Sequence, residues 1–104
     1  MTTIIVLFKL KEGANKDDYE KWARSTDLPM VRNLKSVDHF EVFRSRGLFG
    51  SDGAAHYDYI EIISVNNDSE FNEEVGSQMM GKVAEQFGTF AENPQFILTN
   101  SLDN

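Results

Sequence analysis

Residues 55–63, Ala-His-Tyr-Asp-Tyr-Ile-Glu-Ile-Ile, constrain the fold more than any other stretch. Tyrosine and isoleucine dominate it, and strands favour β-branched and aromatic side chains. A period of two puts Tyr57, Tyr59, Glu61 and Ile63 on one face and His56, Asp58, Ile60 and Ile62 on the other. Neither is a plain water face. A strand apolar on both sides belongs inside a sheet that is covered on both sides. Glu61 and Asp58 then need an explanation, because an unpaired buried carboxylate is costly. They are the first candidates for chemistry.

The flanking segments supply the rest of a sheet and its helices. Thr3 to Lys9 is an apolar run ending in charge, which reads as a buried strand. Gly13 and Asn15 mark a turn and a helix start. The helix from Asn15 to about Ser25 carries Asp17 and Asp18 in its first turn, favourable to its dipole. Tyr19, Trp22, Ala23 and Thr26 share its buried face. Pro29 cannot continue a helix interior. The expected arrangement is a break near Thr26-Asp27, with Asp27 capping a second short helix through Asn33 or Leu34.

Val37 to Arg44 reads as the second strand, with Phe40, Val42 and Arg44 on one face and His39, Glu41 and Phe43 on the other. A glycine-rich loop, Ser45 to Ala54, carries Leu48 and Phe49 at its tip, placed to close over something or to pack on a partner subunit. After the third strand, Asp68 or Ser69 caps a helix whose stripe is Phe71, Val75, Met79, Val83, Phe87 and Phe90. Gly76 and Gly81 weaken it, and a kink is expected near Gly76-Ser77. Asn93-Pro94 ends it. Gln95 to Asn100 is the last strand, and Asp103-Asn104 a frayed tail.

The order strand, helix, strand, strand, helix, strand is the split βαβ, ferredoxin-like pattern, an α+β fold. It predicts one four-stranded antiparallel sheet with helices on one face and the third strand inside. The 104 residues suffice for a single domain, 1–104. The bare face of such a sheet, if apolar, is most economically covered by a second copy, so a homodimer is expected.

Charge narrows the partners. Ten Lys and Arg against 17 Asp and Glu give a net charge of −7. That excludes a general nucleic-acid footprint and an anionic membrane surface as partners. The absence of cysteine removes disulfides, thiolate catalysis and cysteine-based zinc sites. No apolar run is long enough to span a membrane, and the N-terminus lacks the basic region of a secretory signal, so a cytoplasmic protein is expected.

Among the candidate site residues, Glu61 stands first. Flanked by Ile60 and Ile62 in a central strand, it is desolvated, and desolvation raises a carboxyl pKa toward the range useful for proton transfer. The alternative is a structural pair with Lys9, Arg44 or Arg32. Asp27 is a helix cap, a functional carboxylate aimed over the sheet, or both. His39 shares a cavity with Glu61 if the strands pair in the right register, and is otherwise an edge or interface residue. Tyr57 and Tyr59 offer hydroxyls and flat walls for a planar ligand, or core packing. Trp22 is a core residue or a stacking wall. Arg44 is a further ligand contact, and Met79, with Met80, is helix core or a soft pocket wall. No metal site is expected: His39 and His56 come from different segments, and no metal-ligand spacing occurs. Neither a phosphate loop nor a serine nucleophile elbow is present.

Several short runs carry a resemblance to a known family. They are Asp27-Leu28-Pro29, Ser36-Val37-Asp38, Val42-Phe43-Arg44, Gly47-Leu48, Gly50-Ser51-Asp52, Tyr57 to Ile62, and Asn93 to Thr99. In this order, over nearly the whole chain, they resemble the RedY-like, or HapK-like, family. The resemblance implies a dimeric α/β barrel and a place in bacterial secondary metabolism, around pyrrole- or indole-derived pigments such as prodiginines and bisindoles. It implies no metal or organic cofactor. More distantly, Asp27-Leu28-Pro29-Met30-Val31 is similar to the His-x-Pro-Leu-Val stretch of other dimeric α/β-barrel proteins. Aspartate stands here where many of them have histidine, so a mechanism built on that histidine does not carry over. The reading is a small tailoring protein for an aromatic or hydrophobic metabolite, working by acid–base cyclisation, dehydration or condensation steering. The alternatives are a non-catalytic carrier of such an intermediate and a cofactor-free monooxygenase.

Overall fold

The computed structural model describes residues 1–103. Its elements run β1 (Thr2–Leu10), α1 (Lys16–Trp22), a π-helical turn (Ala23–Asp27), α2 (Leu28–Arg32), β2 (Val37–Arg44), β3 (Tyr59–Val65), α3 (Asp68–Val75), α4 (Gln78–Phe90) and β4 (Ala91–Thr99). The four strands form one antiparallel sheet in the order β2-β3-β1-β4. This is the ferredoxin-like arrangement that the element order predicts, with β3 inside the sheet. No helix among the described residues is long and apolar enough to cross a membrane. Of the expected frayed tail, Asn104 lies outside the described residues.

Strand register assigns the faces. Tyr59, Glu61 and Ile63 of β3 sit opposite Phe8, Val6 and Ile4 of β1, and opposite Arg44, Val42 and Phe40 of β2. These rows point toward the helices. The alternate rows, among them Ile5, Leu7, Ile60 and Ile62, are only half-buried. Within one chain β3 is thus covered on one side, not the two its composition suggests.

The third strand starts at Tyr59, four residues later than the alternation predicts. His56, Tyr57 and Asp58 therefore precede it. Asp58 closes the end of the sheet: its carboxylate accepts from the Leu10 amide (2.8 Å), its own amide donates to the Phe8 carbonyl (3.0 Å), and its carbonyl accepts from the Ser45 amide (2.8 Å). These bonds account for one of the two unexplained carboxylates. Leu48 and Phe49 project into solvent from the β2–β3 loop and close over nothing within the chain.

The first helical run does not break. Asp27 has helical dihedrals and caps nothing. Instead the helix widens: the Leu28 amide bonds the Ala23 carbonyl five residues back. Pro29 gives the reason. It has no amide to offer the Ser25 carbonyl and its ring clashes there, so the preceding turn opens to accommodate it. Tyr19, Ala23, Asp27 and Val31, not the expected Tyr19, Trp22, Ala23 and Thr26, form the buried stripe.

The second run breaks at Gly76 and Ser77, as glycine there predicts. Asn67, one residue before the expected cap, accepts from the Glu70 amide (2.9 Å), and Ser77 restarts α4 by accepting from the Met80 amide (3.2 Å). The restart shifts the stripe, so Met80 is buried and Met79 exposed. Glu74 then ties α3 to the start of β2, accepting from the Lys35 amide (2.9 Å), the Ser36 amide (3.0 Å) and the Ser36 hydroxyl. At the end of α4, Asn93 and Pro94 lie within β4 rather than before it. The pairing with β1 shifts there, and Asn93 takes a left-handed φ of 47°. An edge strand accommodates such a bulge and a proline, which donates nothing to the ladder.

Phe8 anchors the core at the β3 end of the aromatic cluster. Its ring is fully buried, stacks on Tyr59 (5.6 Å) and meets the edges of Tyr19 (5.5 Å) and Phe87 (5.0 Å). Phe8→Ala removes a ring held by three others and is expected to lower unfolding free energy by about 3–5 kcal/mol. Chemical denaturation reads the change; a loss below about 1 kcal/mol would contradict this packing.

Candidate functional site

A cavity of about 460 Å³ lies between the helices and the sheet. Ile4, Phe40 and Ile63 form its floor, and Val31, Met80 and Val83 its walls. Its size falls within the roughly 300–1,000 Å³ usual for small-molecule sites. Into this apolar space two carboxyls project, Glu61 from the middle of β3 and Asp27 from the π-turn. Each is about 5% exposed or less. The geometry of the widened turn puts Asp27 there. Three steps of four residues, from Tyr19 to Val31, advance an ideal α-helix by about 120° beyond three full turns. The π-turn absorbs that excess and keeps Asp27 over the sheet.

Neither carboxyl meets a cation. Glu61 accepts one hydrogen bond, from the Tyr19 hydroxyl (3.3 Å). The three basic residues that could have paired with it do not: Arg44 is held by Glu20, Arg32 donates to the Phe40 carbonyl (2.9 Å), and Lys9 is exposed on β1. Burial therefore acts unopposed. It pushes Asp27 up to about 7. It also raises Glu61, and the Asp27 charge raises it further, to about 8, against a small opposing effect of the Tyr19 hydrogen bond. The two carboxyls are coupled: once one has lost its proton, its charge holds the proton on the other. Near neutral pH the cavity thus holds one carboxylate and one carboxylic acid. The Tyr19 hydroxyl is driven far above its usual range by burial and by Glu61, and stays neutral.

The other candidates lie elsewhere. His39 pairs with Ser64 in the ladder, which puts it on the opposite sheet face from Glu61, and it is exposed. The register required for a shared cavity is not the one adopted. Tyr59 is buried on the helix side, but its hydroxyl donates to Glu20 (2.7 Å), outside the cavity. Arg44 grips the same Glu20 through Nε (2.6 Å) and a terminal nitrogen (2.5 Å). These bonds hold Glu20 down at about 2. Trp22 packs on Phe90 and Tyr19 and donates to Gln86 (2.7 Å), away from the cavity. Tyr57, ahead of the strand, does not line it. Met79 faces solvent, and Met80 takes its place. Sequence reasoning missed Tyr19 as a site residue. The signal was its position eight residues before Asp27, on a stripe of four-residue steps. Among the described residues, no group of three His, Asp or Glu side chains is placed to hold a metal ion.

Comparison with known proteins adds lineage to this geometry. Residues 2–102 match the family described as REDY-like protein HapK. The chain belongs to that family. Its fold is similar to that of HapK from Hahella chejuensis, with a TM-score of 0.79 and 24% identity over 100% of this chain and 95% of that one. It is similar to SnoaB, a cofactor-independent oxygenase from Streptomyces nogalater, with a TM-score of 0.77 and 10% identity over 97% of this chain and 92% of that one. A dimeric protein of unknown function and ferredoxin-like fold from Bacteroides fragilis gives 0.69 and 11%, over 96% and 95%. At these identities the likenesses establish the fold alone. No curated protein matches the chain.

The two carboxyls keep their protons to higher pH in the folded chain than in the unfolded one. The folded state therefore binds more protons between about pH 4 and pH 8, and stability falls as pH rises through that window. Glu61→Gln removes one of these groups while keeping an oxygen for Tyr19. The variant is expected to match the wild type near pH 4 and to exceed it at pH 9, by on the order of a few kcal/mol. Denaturant unfolding at the two pH values reads this. A variant less stable than the wild type at pH 9 would mean that a cation supports Glu61 after all.

Proposed function

We propose that this protein is a small-molecule tailoring protein of bacterial secondary metabolism, acting on a pyrrole- or indole-derived intermediate by cofactor-independent acid–base chemistry. One observation carries the chemistry: two buried carboxyls face a single apolar cavity with no cation to neutralise them. Membership of the HapK family supports the metabolic setting. Asp27 is the base and Glu61 the acid; Tyr19 positions Glu61 through its hydroxyl. In a dehydrative ring closure, Asp27 takes the proton from the C–H or N–H that becomes the nucleophile. The new ring bond forms, and the departing hydroxyl leaves as water with the Glu61 proton. Transfer of the proton from Asp27 back to Glu61 restores the pair. Tautomerisation uses the same two groups without loss of water.

Turnover of candidate pyrrolic or indolic intermediates is expected to follow a bell-shaped pH profile. Activity rises as the pair loses its first proton near pH 7 and falls as it loses its second near pH 8. Asp27→Asn and Glu61→Gln should each lower turnover by about 10²–10⁴-fold. Unchanged product formation in both variants would remove the acid–base assignment. Binding without turnover would identify a carrier. Dependence on O2 would favour a cofactor-free oxygenase, the reading that the likeness to SnoaB supports.

The same proposal includes a homodimer. The sheet face away from the helices carries Ile5, Leu7, Ile60 and Ile62 half-buried, with Ile97 40% and Phe43 44% exposed. A structural relative of the same fold is described as dimeric. Covering this face with a second copy buries a continuous apolar surface and brings β3 to the two-sided coverage its composition calls for. Light scattering at micromolar concentration should give twice the chain mass, and Ile62→Lys should give the chain mass. A compact wild-type monomer would count against the arrangement.

A further inference from the structure

Asp27 reaches beyond the proton-transfer reading. Its side chain is 5% exposed and lines the cavity, yet nothing but desolvation perturbs it: no hydrogen bond from the protein reaches its carboxyl. Glu61 receives a bond on one oxygen only, from Tyr19, and lines the same space. A third carboxylate, Asp68, lies at the exposed rim and accepts from the Thr2 hydroxyl (3.0 Å). Against these acids the cavity lining contains no lysine, arginine or histidine. The arginines nearest in the fold are engaged outside it, Arg24 and Arg44 on Glu20 and Arg32 on the Phe40 carbonyl. The remaining walls are almost wholly apolar. Such a space leaves the Asp27 carboxyl open to the cavity without a donor from the protein, and offers no cation to an anion.

We propose that the cavity selects a flat apolar molecule carrying a single cationic N–H group, an ammonium, amidinium or iminium, and excludes carboxylic acids. The N–H group supplies the donor that Asp27 lacks, and its charge is matched by one ionised carboxylate. A neutral ring gains the apolar burial alone. A carboxylate meets like charge at the rim and inside, with no cation to offset its desolvation. The chain's net charge of −7 adds a long-range bias in the same direction. This inference rests on the cavity being the ligand site.

Three probes of one ring system separate the two claims: tryptamine, 3-methylindole and indole-3-acetate. Calorimetric titration at pH 8 and low salt is expected to rank tryptamine about tenfold or more tighter than 3-methylindole, with indole-3-acetate weakest. Asp27→Asn should erase the preference for tryptamine while leaving 3-methylindole binding in place. Ala84→Trp, which fills the cavity from a lining position whose own side chain is exposed, should abolish binding of all three. Equal affinities that are lost together in Ala84→Trp would overturn the charge selectivity and leave the cavity as the ligand site. Tightest binding of indole-3-acetate would overturn it likewise. Failure of every probe to bind the wild type would overturn both.

Discussion

Proline at position 29 has no amide hydrogen, and the helix ahead of it must open by one bond to keep its course. Much follows from that local need. The opened turn, Ala23–Asp27, turns a helix that would have drifted off the sheet back onto it. Tyr19, Ala23, Asp27 and Val31 then share one buried line. Two of the four carry polar groups, and both reach the same glutamate: Tyr19 by a hydrogen bond, Asp27 by its charge. A regular helix would place Asp27 away from the sheet, as an ordinary exposed acid. π-turns inside α-helices recur at functional sites, and this one sets a carboxyl over the cavity.

Two glutamates show how strongly environment decides chemistry here. Glu20 and Glu61 lie on opposite sides of the Tyr19–Tyr59 contact, whose ring centroids are 4.6 Å apart. Glu20 holds Arg44, Arg24 and the Tyr59 hydroxyl, and is ionised at any ordinary pH. Glu61 holds only a tyrosine hydroxyl and keeps its proton past neutrality. The pairing of Arg44 with Glu20 is what leaves Glu61 without a counter-ion. Had the register of β2 and β3 let Arg44 reach Glu61 instead, the cavity would contain a structural ion pair. The stability cost of the unpaired acids is thus a consequence of where one arginine is held, and it is the kind of cost that functional sites carry.

The fold was legible because its signals are periodic and repeated. Element order and alternation gave the sheet, its helices and the inner position of β3. The burial of Glu61 was legible too, since a glutamate between isoleucines in a central strand is desolvated, but whether a cation paired with it was not. What escaped depends on local geometry that periodicity does not encode. Pro29 signals a disturbance, but a broken helix and a widened one share that signal, so Asp27 looked like a cap. His39 looked like a partner of Glu61 until the register set it on the other face. Tyr57 was lost because the strand starts two residues after it, where Asp58 fastens the end of β1. Tyr19 was missed because a tyrosine on a helix face reads first as packing, and the hydroxyl's target lies 42 residues away.

The cavity itself owes its existence to a second interruption. A continuous helix from Asp68 to Phe90 would carry Phe71, Val75, Met79, Val83 and Phe87 down onto the sheet as one stripe and close the space. Gly76 and Ser77 stop it, and Ser77 caps a new helix in a shifted phase. Met80 replaces Met79 on the inside, while Phe71 and Val75 lie along the cavity with Val75 still 36% exposed. The helix pair spans the sheet without filling the room above it. Glu74 fixes α3 in that position by its three bonds to Lys35 and Ser36, in the last turn before the glycine. An apolar space of this size forfeits packing that a tighter core would gain. Its persistence beside two unpaired carboxyls fits a chain whose stability is traded for a site.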